Sequence, residues 1–167
     1  MVAEAQALLR TIGHGTRTTD ELASLLVAAR VTTLIDVRRY PLGRRQPHLA
    51  RERLALDLPE RGIRYEWWGE ALGGRRLEAG VKPPDSGWRT PAFAAYSAYM
   101  STPGFGTALA ELEDRARAGE ALALMCAETV WWRCHRRLIA DALVHDGLEV
   151  EHIIDRVPGR PHRPSKP

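Results

Sequence analysis

The sequence contains little lysine, little cysteine and no long hydrophobic run. Lys82 and Lys166 are the only lysines among its 24 basic residues, so all the others are arginines. No apolar stretch approaches the roughly 20 residues of a membrane-spanning helix. The segment 1–10 contains Glu4 and lacks the apolar core and cleavage pattern of a signal peptide. These absences predict a cytoplasmic protein with no membrane partner.

Only two cysteines are present, Cys126 and Cys134. In a cytosolic protein such a pair is more often reduced, catalytic or metal-binding than a structural disulfide. A zinc site would need His14 or His135 as further ligands. The adjacent Cys134 and His135 cannot easily both face one tetrahedral ion, and the usual close spacing of paired cysteines is absent. We therefore predict no metal and no other cofactor.

The length and composition favour one compact domain. The chain has 167 residues, of which 44% are hydrophobic and 27% are charged. A chain of this size can bury a sizeable core without a metal or disulfide. We predict a single α/β domain over residues 1–155. The segment 156–167 is rich in proline and arginine, and we expect it to be a disordered tail.

Strand-like and helix-like segments alternate along the chain. This order predicts a three-layer α/β fold with a mostly parallel central sheet and helices on both faces. Strands are expected to end near Ile12, Val37, Trp67, Cys126 and Ile154. Helices are expected to begin near Thr19, Leu49, Pro91, Pro103 and His135. The segment 69–90 has no clear period and is expected to be a long irregular loop, which in a compact domain is more often functional than idle.

Ligands of such sheets bind outside the carboxyl ends of the strands. Two of the loops there carry candidate residues near the N-terminus. His14 stands between two glycines, where a backbone can approach a ligand closely. The loop after Val37 carries four arginines. Asp36, at the end of the preceding strand, could orient Arg38 or act as a base. The four arginines are Arg38, Arg39, Arg44 and Arg45.

The loop after Met125 carries the other candidates. It runs from Cys126 through Glu128 to Cys134, where a helix is expected to begin with His135 and Arg136. A helix N-terminus has free N–H groups that bind anions and lower the pKa of a nearby thiol. We therefore predict an anion site made of Arg38, Arg44, Arg136 and these N–H groups.

The combined motifs resemble the domain-of-unknown-function family 488. The resemblance spans residues 11–154 and rests on Thr11–Gly15, Leu34–Arg38, Leu72–Gly74, Leu124–Glu128 and Cys134–Arg136. Some members carry DNA-repair labels. The family pattern implies a set of site residues, which are His14, Asp36, Arg38, Arg44, Gly73, Gly74, Cys126, Glu128, Cys134, His135 and Arg136. The family often has serine at the position of Gly43 and an aromatic residue at that of Leu49.

We predict an enzyme of hydrolytic, DNA-processing type that acts on a phosphate-bearing substrate, either a nucleotide or a nucleic acid such as DNA. One alternative is a non-catalytic nucleic-acid-binding module. The other is a rhodanese-like, cysteine-dependent sulfurtransferase, because a strand, a cysteine loop and a helix follow one another here.

Two catalytic routes are open. Glu128 could activate a water while arginines hold the phosphate. Alternatively, Cys134 could be the nucleophile, with His14 or His135 as its base. We favour Glu128, because the sequence suggests that Cys126 points into the core.

Overall fold

A computed structural model describes residues 6–76, 88 and 90–165. Its centre is one six-stranded sheet in the order β3-β2-β4-β1-β5-β6. The first five strands are parallel, and β6 is antiparallel to β5. The strands are β1 (Leu8–Gly13), β2 (Thr33–Asp36), β3 (Arg64–Trp67), β4 (Leu122–Cys126), β5 (Glu149–Ile153) and β6 (Arg160–Pro161).

Helices connect the strands and cover both faces of the sheet. They are α1 (Thr19–Ala28), α2 (Arg51–Asp57), α3 (Gly69–Leu72), α4 (Pro91–Tyr99), α5 (Pro103–Arg117) and α6 (Arg136–His145). The start of α1 is a capping box, in which Thr18 and Glu21 each accept a hydrogen bond from the other's backbone N–H. The prediction of a helix near Thr19 is confirmed.

Alternate residues of the strands point to two separate cores. Leu34 and Met125 pack with α1 and α2 on one face. Leu124 and Cys126 pack with α4, α5 and α6 on the other. The predicted three-layer α/β fold, with a mostly parallel sheet between helices, is confirmed.

The three candidate loops meet at one edge of the sheet. In the parallel register Gly13 is level with Cys126, and Asp36 is level with Met125. Because β4 lies between β1 and β2, the loops that follow these strands are neighbours in space.

Two predicted segments differ from the structure. The expected helix over 49–61 is divided: α2 is flanked by 3-10 turns at Pro47–Leu49 and Pro59–Arg61. The expected irregular loop over 69–90 begins with α3, while its residues 77–87 and 89 lie outside the described part of the chain.

The tail is a further correction, because within residues 156–165 it makes defined contacts with β5 and, through the backbone N–H of Ser165, with Asp141 of α6. Arg160 pairs with His152, and the imidazole of His162 is buried behind β5. Within the described ranges, no helix combines the length and the apolar character needed to cross a membrane.

Candidate functional site

A cavity of about 360 Å³ opens at the carboxyl edge of the sheet. Cys126, Cys134 and His135 contribute to its lining from the sheet side, and Phe93 and Tyr96 from α4. Its other lining residues are Arg38, Arg39, Tyr40, Gly74, Arg75, Ala92, Ala127, Glu128 and Arg133.

Asp36 is fully buried beneath the loop that follows β2. Its Oδ1 accepts hydrogen bonds from the backbone N–H and the Nε of Arg38, at 3.0 and 2.9 Å. Its Oδ2 accepts from Nη2 of Arg38 at 2.7 Å and from the hydroxyl of Tyr65. This arrangement matches the first predicted alternative, in which Asp36 orients an arginine.

His14 lies next to this pair and is 6% exposed. Its Nδ1 is 2.9 Å from the carbonyl of Gly15, which can only accept, so Nδ1 carries the proton. Its Nε2 accepts from Nη1 of Arg38 at 3.2 Å. Burial lowers the pKa of His14 to about 4, so the ring is neutral and its free lone pair is already engaged.

The two cysteine sulfurs are in contact on the cavity floor. Sγ of Cys126 lies 2.9 Å from Sγ of Cys134, and both residues are free thiols. Burial and the hydrogen bond to Cys134 raise the pKa of Cys126 well above its ordinary value of 9.0. Burial alone would also raise the pKa of Cys134, but the hydrogen bond from Cys126 and the charge of Arg136 lower it to about 6. The lowered pKa favours the thiolate form of Cys134 over that of Cys126. Cys126 belongs to the core, as predicted.

Arg136 is 1% exposed and holds the loop together from within. Its guanidinium donates to Sγ of Cys134 at 3.3 Å, to the carbonyl of Glu128 at 2.6 Å and to the hydroxyl of Thr11 at 3.1 Å. The end of β1 approaches the same carbonyl so closely that a Cβ at Gly13 would lie 1.7 Å from it. Only glycine fits at that position.

A buried chain of hydrogen bonds continues from Arg136 to the tail. The Thr11 hydroxyl is 2.6 Å from Nδ1 of His152, and Nε2 of His152 is 2.9 Å from Nδ1 of His162. Nε2 of His162 donates to Oδ1 of Asp141 at 2.7 Å. Because the carboxylate can only accept, Nε2 of His162 carries the proton of this last hydrogen bond. No sequence motif indicated this chain.

His135 is the last residue before α6. Its Nε2 donates to the carbonyl of Val37 at 3.0 Å, which connects the loops after β2 and β4. Burial lowers the pKa of His135 to about 4. A Cβ on Gly74 would lie 3.1 Å from its Nδ1, and one on Gly73 would lie 2.6 Å from Cβ of Arg39. Because these two glycines have no side chain, the segment after α3 can pack closely against Arg39 and His135 beside the cavity.

Of the three arginines predicted for the anion site, Arg38 lines the cavity, whereas Arg44 and Arg136 do not, and the anion site itself stays a prediction. The guanidinium groups of Arg38 and Arg136 are occupied by the internal partners described above. Arg44 is exposed, as is Arg45, and neither contributes to the cavity lining.

Other arginines surround the cavity instead. Arg39 donates to the carbonyl of Arg75 at 2.7 Å, and both guanidinium groups lie over the ring of Tyr40. Arg133 and Glu128 are exposed residues of its opposite wall. The cavity thus has a cationic mouth, a carboxylate and a thiolate.

The aromatic side of the cavity was not predicted. Phe93 and Tyr96 lie one turn apart on α4, and the ring of Tyr96 is 5.2 Å from that of His135. The hydroxyl of Tyr96 donates to the carbonyl of Leu72 at 2.7 Å. The sequence signal was their helical spacing, which does not reveal that α4 packs beside the Cys126 loop. Across residues 6–76, 88 and 90–165, no group of three or more His, Cys, Asp or Glu residues is arranged to hold a metal ion.

The fold and the cavity define an α/β protein with a cysteine pair at the carboxyl edge of a parallel sheet. The sequence profile of the family described as "Domain of unknown function DUF488" matches residues 18–143. The chain belongs to this family, and the resemblance found in its motifs is confirmed. His14 lies outside the matched segment, whereas Asp36, Cys126 and Cys134 lie within it. No curated protein and no solved structure matches the chain.

Proposed function

We propose that this protein is an enzyme that hydrolyses a phosphate-bearing substrate, a nucleotide or a nucleic acid, in the cavity at the carboxyl edge of the sheet. The observation that carries the proposal is the combination of a thiolate at Cys134 with arginines around the same opening. Guanidinium groups bind phosphate oxygens in pairs, and Phe93 in the lining provides a ring on which a base can stack. The cavity volume falls in the range of small-molecule sites, about 300–1,000 Å³.

The geometry favours Cys134 over Glu128 as the group that attacks. The Cys134 sulfur is held as a thiolate by Cys126 and Arg136 and faces the cavity. In the proposed reaction this sulfur attacks phosphorus, an S–P bond forms and the bond to the leaving oxygen breaks. The leaving oxygen takes the electron pair and a proton from water. A second water then attacks phosphorus, Glu128 accepts its proton, and the S–P bond breaks to restore the thiolate. Glu128 passes this proton to the hydroxide that the first water left, which restores the carboxylate.

Two variants separate the routes. The reduced protein is assayed with p-nitrophenyl phosphate, nucleoside monophosphates and diphosphates, and a single-stranded DNA oligonucleotide. We expect Cys134→Ser to abolish turnover and Glu128→Gln to slow the second step, so that phosphorylated protein accumulates. Full turnover by Cys134→Ser together with loss in Glu128→Gln would transfer the chemistry to Glu128. Absence of turnover on every substrate would overturn the enzyme proposal.

A binding assay locates the phosphate. Arg75 lines the cavity, whereas the equally exposed Arg44 does not, so Arg44→Ala is the matched control for Arg75→Ala. The affinity for the single-stranded DNA oligonucleotide is measured at several salt concentrations. If a phosphate binds in the cavity, Arg75→Ala reduces the slope of log affinity against log salt concentration by about one, and Arg44→Ala leaves the slope unchanged. Equal losses would indicate a nucleic-acid-binding surface along residues 38–45.

Two outcomes correspond to the other functional classes. Salt-dependent oligonucleotide binding that survives Cys134→Ser, without turnover, would identify a non-catalytic binding module. A persulfide formed from thiosulfate would identify a sulfurtransferase. The geometry would place that persulfide on Cys134, since Cys126 is buried and protonated.

A further inference from the structure

We propose that Cys126 and Cys134 form a redox-active pair, in which Cys134 reduces a hydroperoxide and Cys126 then closes an intramolecular disulfide. This inference concerns the sulfurs alone and does not depend on which substrate the cavity binds.

The first support is the position of the two sulfurs. Cys126 is the last residue of β4, and Cys134 follows a 3-10 turn just before α6. The segment 127–133 between them folds back, so that the sulfurs lie 2.9 Å apart although both are free thiols. An S–S bond is about 2.05 Å long, so the two sulfurs need to approach by less than about 1 Å to form one.

The second support is the difference between the two environments. Cys134 is partly exposed and lines the cavity, where an oxidant can reach it. Cys126 is 3% exposed and lies behind it, in contact with the core. Peroxide-reactive cysteines are accessible thiolates, often next to a resolving cysteine. The pair has this arrangement.

The third support is the charge around Cys134. Nε of Arg136 is 3.3 Å from its Sγ, and Arg136 itself is fixed by Thr11 and the Glu128 carbonyl. The cation stabilises the thiolate, and the thiol of Cys126 donates a hydrogen bond to it. The attacking and the resolving sulfur are thus distinguished before any oxidant arrives.

The reaction balances with a hydroperoxide as the only oxidant. The Cys134 thiolate attacks the terminal peroxide oxygen, an S–O bond forms and the O–O bond breaks. The leaving oxygen takes a proton from solvent water and departs as water or an alcohol. Cys126 then gives up its proton and attacks the Cys134 sulfur; the S–S bond forms, the S–O bond breaks and water leaves. Two electrons pass from the dithiol to the peroxide, and an external thiol such as dithiothreitol restores the reduced pair.

The decisive experiment treats the reduced full-length protein with a stoichiometric amount of hydrogen peroxide. We expect the intact mass to fall by two hydrogens, both cysteines to resist alkylation, and peptide mapping to join Cys126 to Cys134 within one chain. Dithiothreitol should reverse all three results. Retention of two alkylatable thiols, conversion of Cys134 to a sulfinic acid without a disulfide, or a disulfide between two chains would overturn the proposal.

Two variants assign the roles of the sulfurs. Cys126→Ser should stop at a sulfenic acid on Cys134, which dimedone traps. Cys134→Ser should lose most of the peroxide reactivity, because the remaining thiol is buried and protonated. Circular dichroism shows whether each variant is folded. Equal peroxide reactivity in wild type and folded Cys134→Ser would contradict the assignment.

Discussion

Arg38 donates hydrogen bonds to both carboxylate oxygens of Asp36, with Nε 2.9 Å from Oδ1 and Nη2 2.7 Å from Oδ2. The carboxylate is fully buried, and the arginine side chain is 11% exposed. The same guanidinium also donates to His14 and to the carbonyl of Leu49. One ion pair therefore joins the loops after β1 and β2 and the segment before α2.

We expect Asp36→Asn to destabilise the protein strongly. The substitution leaves the mostly buried charge of Arg38 without its carboxylate, a change that costs about 3–5 kcal/mol. Asp57→Asn is the control, because it removes an ion pair with Arg53 whose arginine is mostly exposed, and such pairs contribute about 0.5 kcal/mol or less. Urea unfolding of both variants measures the difference. A similar, small loss in the two variants would show that the Asp36 pair does not stabilise the fold.

The tail gives a second prediction. His162→Ala removes the hydrogen-bond partner of His152 Nε2 and the side-chain donor to Asp141. A buried polar group left unpaired costs about 1–3 kcal/mol, so the free energy of unfolding should fall by that amount. Arg160→Ala, an exposed change two residues earlier in the tail, should alter it by no more than about 0.5 kcal/mol. If both variants are as stable as wild type, the tail does not pack as the structure shows.

The fold could be predicted from the sequence because its signals are local. The apolar segment around Leu34 predicts a buried strand, and Thr18 with Glu21 predicts the start of α1. The rule that ligands bind at the carboxyl ends of parallel strands indicated the three loops that meet beside the cavity in the structure. The prediction that Asp36 could orient Arg38 needed no tertiary information, since the two residues share one loop.

The parts that could not be predicted depend on contacts between distant segments. Tyr65 reaches Asp36 from β3, and His162 reaches His152 only because β6 pairs with β5. Proline in the tail suggested disorder, but Pro161 lies in an edge strand, where proline is tolerated. Which arginine of the loop after β2 faces the cavity depends on the path of the backbone. Arg39 and Arg44 both belong to this arginine-rich loop, yet Arg39 lines the cavity and Arg44 does not.

The stability of the protein should fall in acid because of His135. Its pKa is lowered from 6.5 to about 4 by burial, so the folded state binds this proton less readily than the unfolded state does. Its contribution is fully present above pH 6.5 and is lost as the pH falls towards 4. The shift corresponds to about 3 kcal/mol.

His135→Gln tests this effect, because glutamine keeps an N–H donor and does not titrate. The free energy of unfolding is measured across this pH range for wild type, His135→Gln and His145→Gln, in which the replaced histidine is exposed at the end of α6. We expect the free energy of unfolding to decline less steeply with falling pH only in His135→Gln. The same slope in all three proteins would mean that His135 is not held neutral by burial.

The reactivity of Cys134 with iodoacetamide should depend on pH in a characteristic way. Only the thiolate is alkylated, so the rate rises through the pKa, and the midpoint should lie near pH 6 rather than near the ordinary 9.0. Cys126→Ala removes the hydrogen bond between the Cys126 and Cys134 sulfurs, which lowers the pKa of Cys134. The midpoint should therefore move upwards, towards 9.0, while Arg136 continues to hold it somewhat below that value.

Cys134→Ser is the control for alkylation at Cys126, which should be slow throughout because that thiol is buried and protonated. An unchanged midpoint in Cys126→Ala would show that Arg136 alone stabilises the thiolate, and a wild-type midpoint near 9.0 would show that Cys134 is an ordinary thiol.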